Sequence, residues 1–391
     1  MTISDKLSGF MEKSSWIRKM FEEGIRLKQE SGEENVFDLS LGNPVIEPPE
    51  EVRKALVEVA QDVSPGLHRY MPNAGFADVR AVIAESLSPE CKVELSANDV
   101  VMVCGAAGGL NITLKTLLNP GDEVIIFTPY FVEYLFYADN HGGKAVAVPT
   151  LDNFHLDFTA LENALNEKTK AVIINSPNNP TGVVYSRKEL QQLADTLKTY
   201  SERLGNAIYL ISDDPYKKIV FDDVEAPNIM EFYPNSIYIT SYSKDIALPG
   251  ERIGFVAVHP QCEDTGQIMA GLIFCNRVLG FVNAPALMQR VVKQVQNVTV
   301  DIAQYRRKRD FLYKELTRIG YEVVKPQGAF YFFPKSPIQD EVEFARRLAE
   351  NKVLVVPGRG FGLPGYFRVA YCFPDSVIEG SIVGFERAYS A

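Results

Sequence analysis

Lys244 ends the run Ser241-Tyr242-Ser243-Lys244, just past an apolar stretch at 237–240. Arg252 follows eight residues later in Gly250-Glu251-Arg252-Ile253-Gly254. A lone lysine is usually a solvated charge, but one at a strand end among Ser, Tyr and Arg is a candidate nucleophile, because a nearby cation favours the uncharged amine that attacks. Two more polar clusters follow apolar runs: Ser212-Asp213-Asp214-Pro215-Tyr216 after 208–211, and Asn175-Ser176-Pro177-Asn178-Asn179-Pro180-Thr181-Gly182 after 171–174. Taken singly, the first reads equally well as a helix cap and the second as a proline-rich turn. Gly105-Ala106-Ala107-Gly108-Gly109 follows 100–104 and opens into a helix near Leu110. Small residues there let backbone N–H groups and the helix dipole face an anion, although a tight turn would look the same. A Walker loop would need Lys and Ser/Thr after the last glycine. A dinucleotide fingerprint would need an acid ending the next strand, where Thr128-Pro129 stands.

These clusters need a scaffold that brings strand ends together. Short β-rich runs at 100–104, 124–127, 145–148, 171–175, 208–212, 237–241 and 255–258 are mostly separated by helix-length connections. The pattern predicts an α/β domain with a mostly parallel seven-stranded sheet flanked by helices. Ligands of such sheets gather at the carboxyl ends of the strands, where the polar clusters lie. Ahead of the sheet, Phe10, Ile17, Met20, Phe21 and Ile25 have helical spacing over residues 10–30, and Ser40-Leu41-Gly42-Asn43-Pro44 breaks the pattern. Beyond it, one long helix over 284–319 leads to short strands at 321–324, 330–333, 353–356 and 367–371, with helices at 341–350 and 375–389. The expected division is an N-terminal segment 1–45 packing with the small domain, a large α/β domain 46–285, and a small C-terminal α+β domain 286–391.

With 391 residues, 46% of them hydrophobic, the chain can bury a large core. The net charge of −10 is spread along it; the one short basic run, Arg306-Arg307-Lys308-Arg309, reads as the solvated face of a helix. Nucleic acid is therefore not an expected partner. Cys91, Cys104, Cys262, Cys275 and Cys372 show no metal-ligand spacing, so no metal is expected, and their odd number and scatter suit a reducing compartment. Residues 1–30 carry no apolar core of an export signal, and no stretch is apolar enough to span a membrane. The expected location is the cytoplasm.

Taken in order, the motifs closely resemble the class I aminotransferases, the aspartate aminotransferase-like group of fold-type I pyridoxal-phosphate enzymes, from about Ser40 to Arg368. The resemblance implies pyridoxal 5′-phosphate held covalently on Lys244, with Asp213 facing its ring nitrogen and Tyr216 and Asn179 its phenolic oxygen. Ser241, Arg252 and the backbone of Ala106 and Ala107 would hold the phosphate. Phe131 matches an aromatic that stacks on the ring, where many members have Trp or Tyr. Tyr70 resembles a tyrosine that crosses from a partner subunit, which implies a homodimer with shared sites. Gly42 and Arg368 match residues that contact the substrate carboxylate, which a planar guanidinium fits better than an ammonium does.

The family implies a ping-pong exchange between an L-amino acid and a 2-oxo acid such as 2-oxoglutarate. Aspartate-like donors are favoured, with a carbon–sulfur β-lyase or an alanine or aromatic aminotransferase as alternatives on the same fold. Some relatives that accept aspartate carry a lysine where this chain has Ala107. Arg277, ahead of Asn283-Ala284-Pro285, stands near the position of an arginine that reads a distal carboxylate across the dimer; an ordinary surface arginine fits it as well.

Overall fold

A computed structural model describes residues 3–13 and 15–390, without the side chains of residues 12, 13, 15–19, 21 and 31. The side chains of Ile17 and Phe21 therefore lie outside the description. Twelve strands occur among the described residues: β1 (Phe37–Asp38), β2 (Val100–Val103), β3 (Glu123–Thr128), β4 (Lys144–Pro149), β5 (Thr169–Ile174), β6 (Tyr209–Asp213), β7 (Ser236–Ser241), β8 (Gly254–Val258), β9 (Tyr331–Phe332), β10 (Val353–Leu354), β11 (Val356–Pro357) and β12 (Phe367–Ala370). The main sheet has the order β2-β8-β7-β6-β5-β3-β4. Only β8 runs against its neighbours, so the sheet is mostly parallel, as expected.

Strands with both faces covered are buried on both sides, and β2, at the edge, and β6 and β8, inside the sheet, are buried along their whole length. Ile125, Val172, Ile174 and Leu210 pack into the core on one face. Val124, Ile126, Ile173, Ile211, Ile237 and Ile239 pack into the core on the other. Each such side chain contributes roughly 1.5–3 kcal/mol by leaving water, so the register that aligns the strand ends is strongly held.

A further core is formed by Leu39, Tyr331, Phe332, Phe344, Phe367 and Phe385, and it reaches across to Tyr216 and Ala247. In this region β11, β12 and β9 form an antiparallel sheet, and β1 pairs with β10. The expected long helix is two, Ala286–Gln294 and Ile302–Ile319. The intervening segment is rich in β-branched residues, Asp301 caps the second helix, and Val300 N–H and Thr299 Oγ1 donate to the carbonyl of Asp245. Residues 321–324 form no strand: Gly320 ends the helix in the left-handed region, and Tyr321 N–H donates to Leu316 O. The basic run is only half solvated. Arg306 and Arg307 are exposed, but helical spacing turns Lys308 and Arg309 inward with Tyr305 and Leu312, and Arg309 pairs with Asp222 and Asp310.

Candidate active site

The carboxyl ends of the parallel strands open into a cavity of about 330 Å³. Asp213 is the last residue of β6 and Ser241 the last of β7; Asn175 follows β5 directly, and Lys244 lies three residues beyond β7. These side chains line the cavity together with Gly42, Ala106, Ala107, Phe131, Asn179, Tyr216, Arg252 and Arg368. Of the residues singled out in the sequence, only Tyr70 and Arg277 are not among those that line it. Tyr70 is 92% exposed, and Arg277 lies on the surface over the ring of Phe274.

Lys244 Nζ donates to the carbonyl of Gly42 at 2.8 Å. Burial pulls its pKa down to about 8, and the charges of Arg368 and Arg252 act in the same direction. Desolvation thus outweighs the neighbouring arginines in making the free amine available. Asp213 is buried, and Tyr134 Oη donates to its Oδ2 at 2.7 Å. Burial raises its carboxyl to about 7, and the hydrogen bond from Tyr134 partly offsets this. The hydroxyls of Tyr216 and Tyr331 lie 2.9 Å apart, and burial lifts Tyr216 well above the usual phenol range.

The helix Gly105–Leu117 begins just beyond β2, and Ala106 and Ala107 of its first turn line the cavity. Gly105 has φ +71°, and a Cβ there would lie 2.7 Å from Arg252 Nη2, so glycine lets the guanidinium reach the helix start. Arg252 itself adopts φ +50°, a conformation that costs on the order of 1–2 kcal/mol for a residue with a side chain. Together with Ser241, these groups can hold a dianion. Arg368 is buried between the rings of Tyr331 and Phe361. Its Nη1 donates to Asn179 Oδ1 at 3.0 Å and its Nη2 to Ser40 O at 2.6 Å. Gly42 is required beside it, because a Cβ would fall 1.8 Å from the Tyr331 hydroxyl.

Three lining side chains each leave one buried polar atom without a hydrogen-bond partner: Asp213 Oδ1, Glu133 Oε2 and Arg368 Nε. Such atoms are costly unless a ligand satisfies them. Among the described residues no cluster of metal-ligating side chains occurs.

A sequence profile described as "Aminotransferase class I and II" matches residues 34–380. The chain belongs to this aminotransferase family. Among its relatives, the aspartate aminotransferase of Pyrococcus abyssi is 33% identical over 99% of this chain and 98% of its own. The probable aspartate aminotransferase of Methanocaldococcus jannaschii is 31% identical over 88% and 91%. A solved aminotransferase from Eubacterium rectale superposes with a TM-score of 0.96 at 39% identity, covering 100% of this chain and 99% of that one. The aminotransferase thus has the α/β fold of these enzymes.

Sequence reasoning missed Glu133, Tyr134, Tyr331 and Ser40. The first two follow Phe131 by two and three residues and open the helix Glu133–Asn140, and the ring of Tyr134 meets that of Phe131, so closeness in sequence to Phe131 was the available signal. Tyr331 and Ser40 come from segments distant in sequence and carried no local signal.

Proposed function

We propose that this aminotransferase uses pyridoxal 5′-phosphate to move an amino group from an L-amino acid to a 2-oxo acid by a ping-pong mechanism, as a homodimer in the cytoplasm. The carrying observation is that Lys244, Asp213, Arg252 and Arg368 line one cavity in which Asp213 keeps a buried oxygen free. The cofactor fits these residues. Asp213 Oδ1 is a buried acceptor suited to a protonated ring nitrogen; Ser241, Arg252 and the start of helix Gly105–Leu117 suit its phosphate, and Phe131 suits a flat ring. When bound, the cofactor supplies an aldehyde that captures the amino group and a ring that takes up the charge left at the substrate Cα.

The chain's own residues do the rest. Lys244, its amine already made less basic by burial, moves the proton at Cα as a general base and acid near neutral pH. Asp213 holds the proton of the ring nitrogen in place. Asn179 and Tyr216 orient the cofactor, and Arg368, whose two donors now serve Asn179 and Ser40, turns them to the substrate carboxylate. Exposed Tyr70 and Arg277 suit the shared sites of a dimer.

Aspartate is the reference donor, because relatives are named aspartate aminotransferases, and a 2-oxo acid such as 2-oxoglutarate is the acceptor that the family resemblance implies. Purified protein supplied with cofactor should be yellow, and an amino donor alone should shift the band until a 2-oxo acid restores it. A band that ignores every donor would end this reading.

A further inference from the structure

The charges that line the cavity do not balance once each is given its task. Its cations are Lys244, Arg252 and Arg368, and its carboxylates are Glu133 and Asp213. Under the reading above, Lys244 serves proton transfer, Arg252 the phosphate, Arg368 the α-carboxylate, and Asp213 the ring nitrogen. Glu133 has no task, and among the residues of one subunit that line the cavity no cation is left to receive a second substrate carboxylate, so only a residue reaching in from a partner subunit could supply one.

Glu133 is the first residue of the helix Glu133–Asn140, two positions past Phe131, and its Oε2 is buried with no hydrogen-bond partner. Burial pushes its carboxyl upward, while the charge of Arg368 favours the ionised form. Ala107 lines the same cavity, and its methyl group offers neither charge nor hydrogen bond. A free buried acceptor of this kind is satisfied by an N–H or O–H donor and repels a second carboxylate.

We propose that Glu133 sets the side-chain specificity of this site, favouring amino donors whose side chains end in a hydrogen-bond donor or a positive charge over the dicarboxylates aspartate and glutamate. This rests on the aminotransferase reading and names its substrate class. Like charge excludes as much as complementary charge selects, and discrimination comes from the difference between the two.

The test uses the cofactor-loaded full chain and pairs of donors that differ in charge but hardly in shape: asparagine against aspartate, and glutamine against glutamate. Wild type should use the amide of each pair with the higher kcat/KM in the half-reaction. Glu133→Gln should change the amide-to-acid ratio by about tenfold or more in favour of the acid. Succinate, which cannot react, reads binding alone: its dissociation constant from a spectral titration should fall about tenfold in Glu133→Gln. Gln keeps the size of the side chain, and an unchanged circular dichroism spectrum would show that the variant folds.

Wild type preferring the acids would overturn the proposal. So would succinate binding that stays the same or weakens in Glu133→Gln, the result expected if Glu133 were protonated and donated to the dicarboxylate. Tight succinate binding by wild type that is lost in Arg277→Ala would overturn it too, in favour of an arginine supplied across a dimer. A protein whose spectrum answers no donor would instead remove the aminotransferase reading itself.

Discussion

The carboxyl ends of β5, β6 and β7 and the wall made by residues 40–42, Tyr331 and Arg368 face each other across one cavity, but they hold their side chains by different means. On the strand side, Asp213, Ser241 and Asn175 sit on or next to strands whose ladders lock them, with Asp213 paired to Ile239 and Ser241 to Gly254. On the wall, the groups are tied to the strand side by single hydrogen bonds: Lys244 to Gly42 O, Arg368 to Asn179, and Tyr216 to Tyr331. The strand side keeps Oδ1 of Asp213 free, whereas on the wall Nη1 and Nη2 of Arg368 are engaged by Asn179 Oδ1 and Ser40 O. The difference separates two tasks. Groups fixed by the sheet stabilise charge that appears during the reaction without having to move, and groups held by exchangeable contacts release them to take up a substrate.

Removing a fixed group should therefore cost turnover, and removing an exchangeable one should cost affinity. The largest effect is expected for Lys244→Ala, which deletes the amine at the end of the strand side: kcat should fall roughly a thousandfold or more, measured by single-turnover conversion of a donor. Turnover within tenfold of wild type would show that another group moves the proton. Arg368→Lys comes next. Lysine keeps the charge but cannot make two parallel bonds or stack between Tyr331 and Phe361. KM for the donor should rise about 10–100-fold with kcat changed far less. A loss confined to kcat would place Arg368 on the fixed side of the comparison.

The same division decides what could be read in advance. The sheet and the residues at its strand ends were legible, because β-rich apolar runs have a local signature and Lys244, Asp213 and Asn179 lie within a few residues of their ends. The wall was harder. Arg368 meets Ser40 across 328 residues, and no window of sequence contains both; only the family resemblance pointed to it. Tyr331 lay in a run that reads simply as a short apolar strand. The expected single helix over 284–319 failed for a related reason: its apolar spacing continues through 295–301, but Asp301 and the carbonyl of Asp245 offer the backbone better partners there. Arg309 looked solvated because its partner Asp222 is 87 residues away.

The smallest and sharpest test concerns Tyr134, which supports a fixed charge without lining up beside it in sequence. Its hydroxyl donates to Asp213 Oδ2 and lowers the acid's pKa against the stronger upward push of burial, leaving it near 7. Tyr134→Phe removes that bond with little change of shape, so the pKa of Asp213 should rise further. The sign follows directly. Pairing with a protonated ring nitrogen needs Asp213 ionised, so cofactor affinity is present at high pH and lost as pH falls through the acid's pKa. In Tyr134→Phe that loss should begin at a pH higher by about one unit, because a hydrogen bond to a charged group contributes roughly 1.5–3 kcal/mol. Equilibrium cofactor titrations between pH 5 and 9 would measure it (~0.5 unit steps suffice). A uniform weakening at every pH would mean that Tyr134 only fills space, whereas a midpoint displaced upward with affinity recovered at high pH would assign it to holding the charge of Asp213.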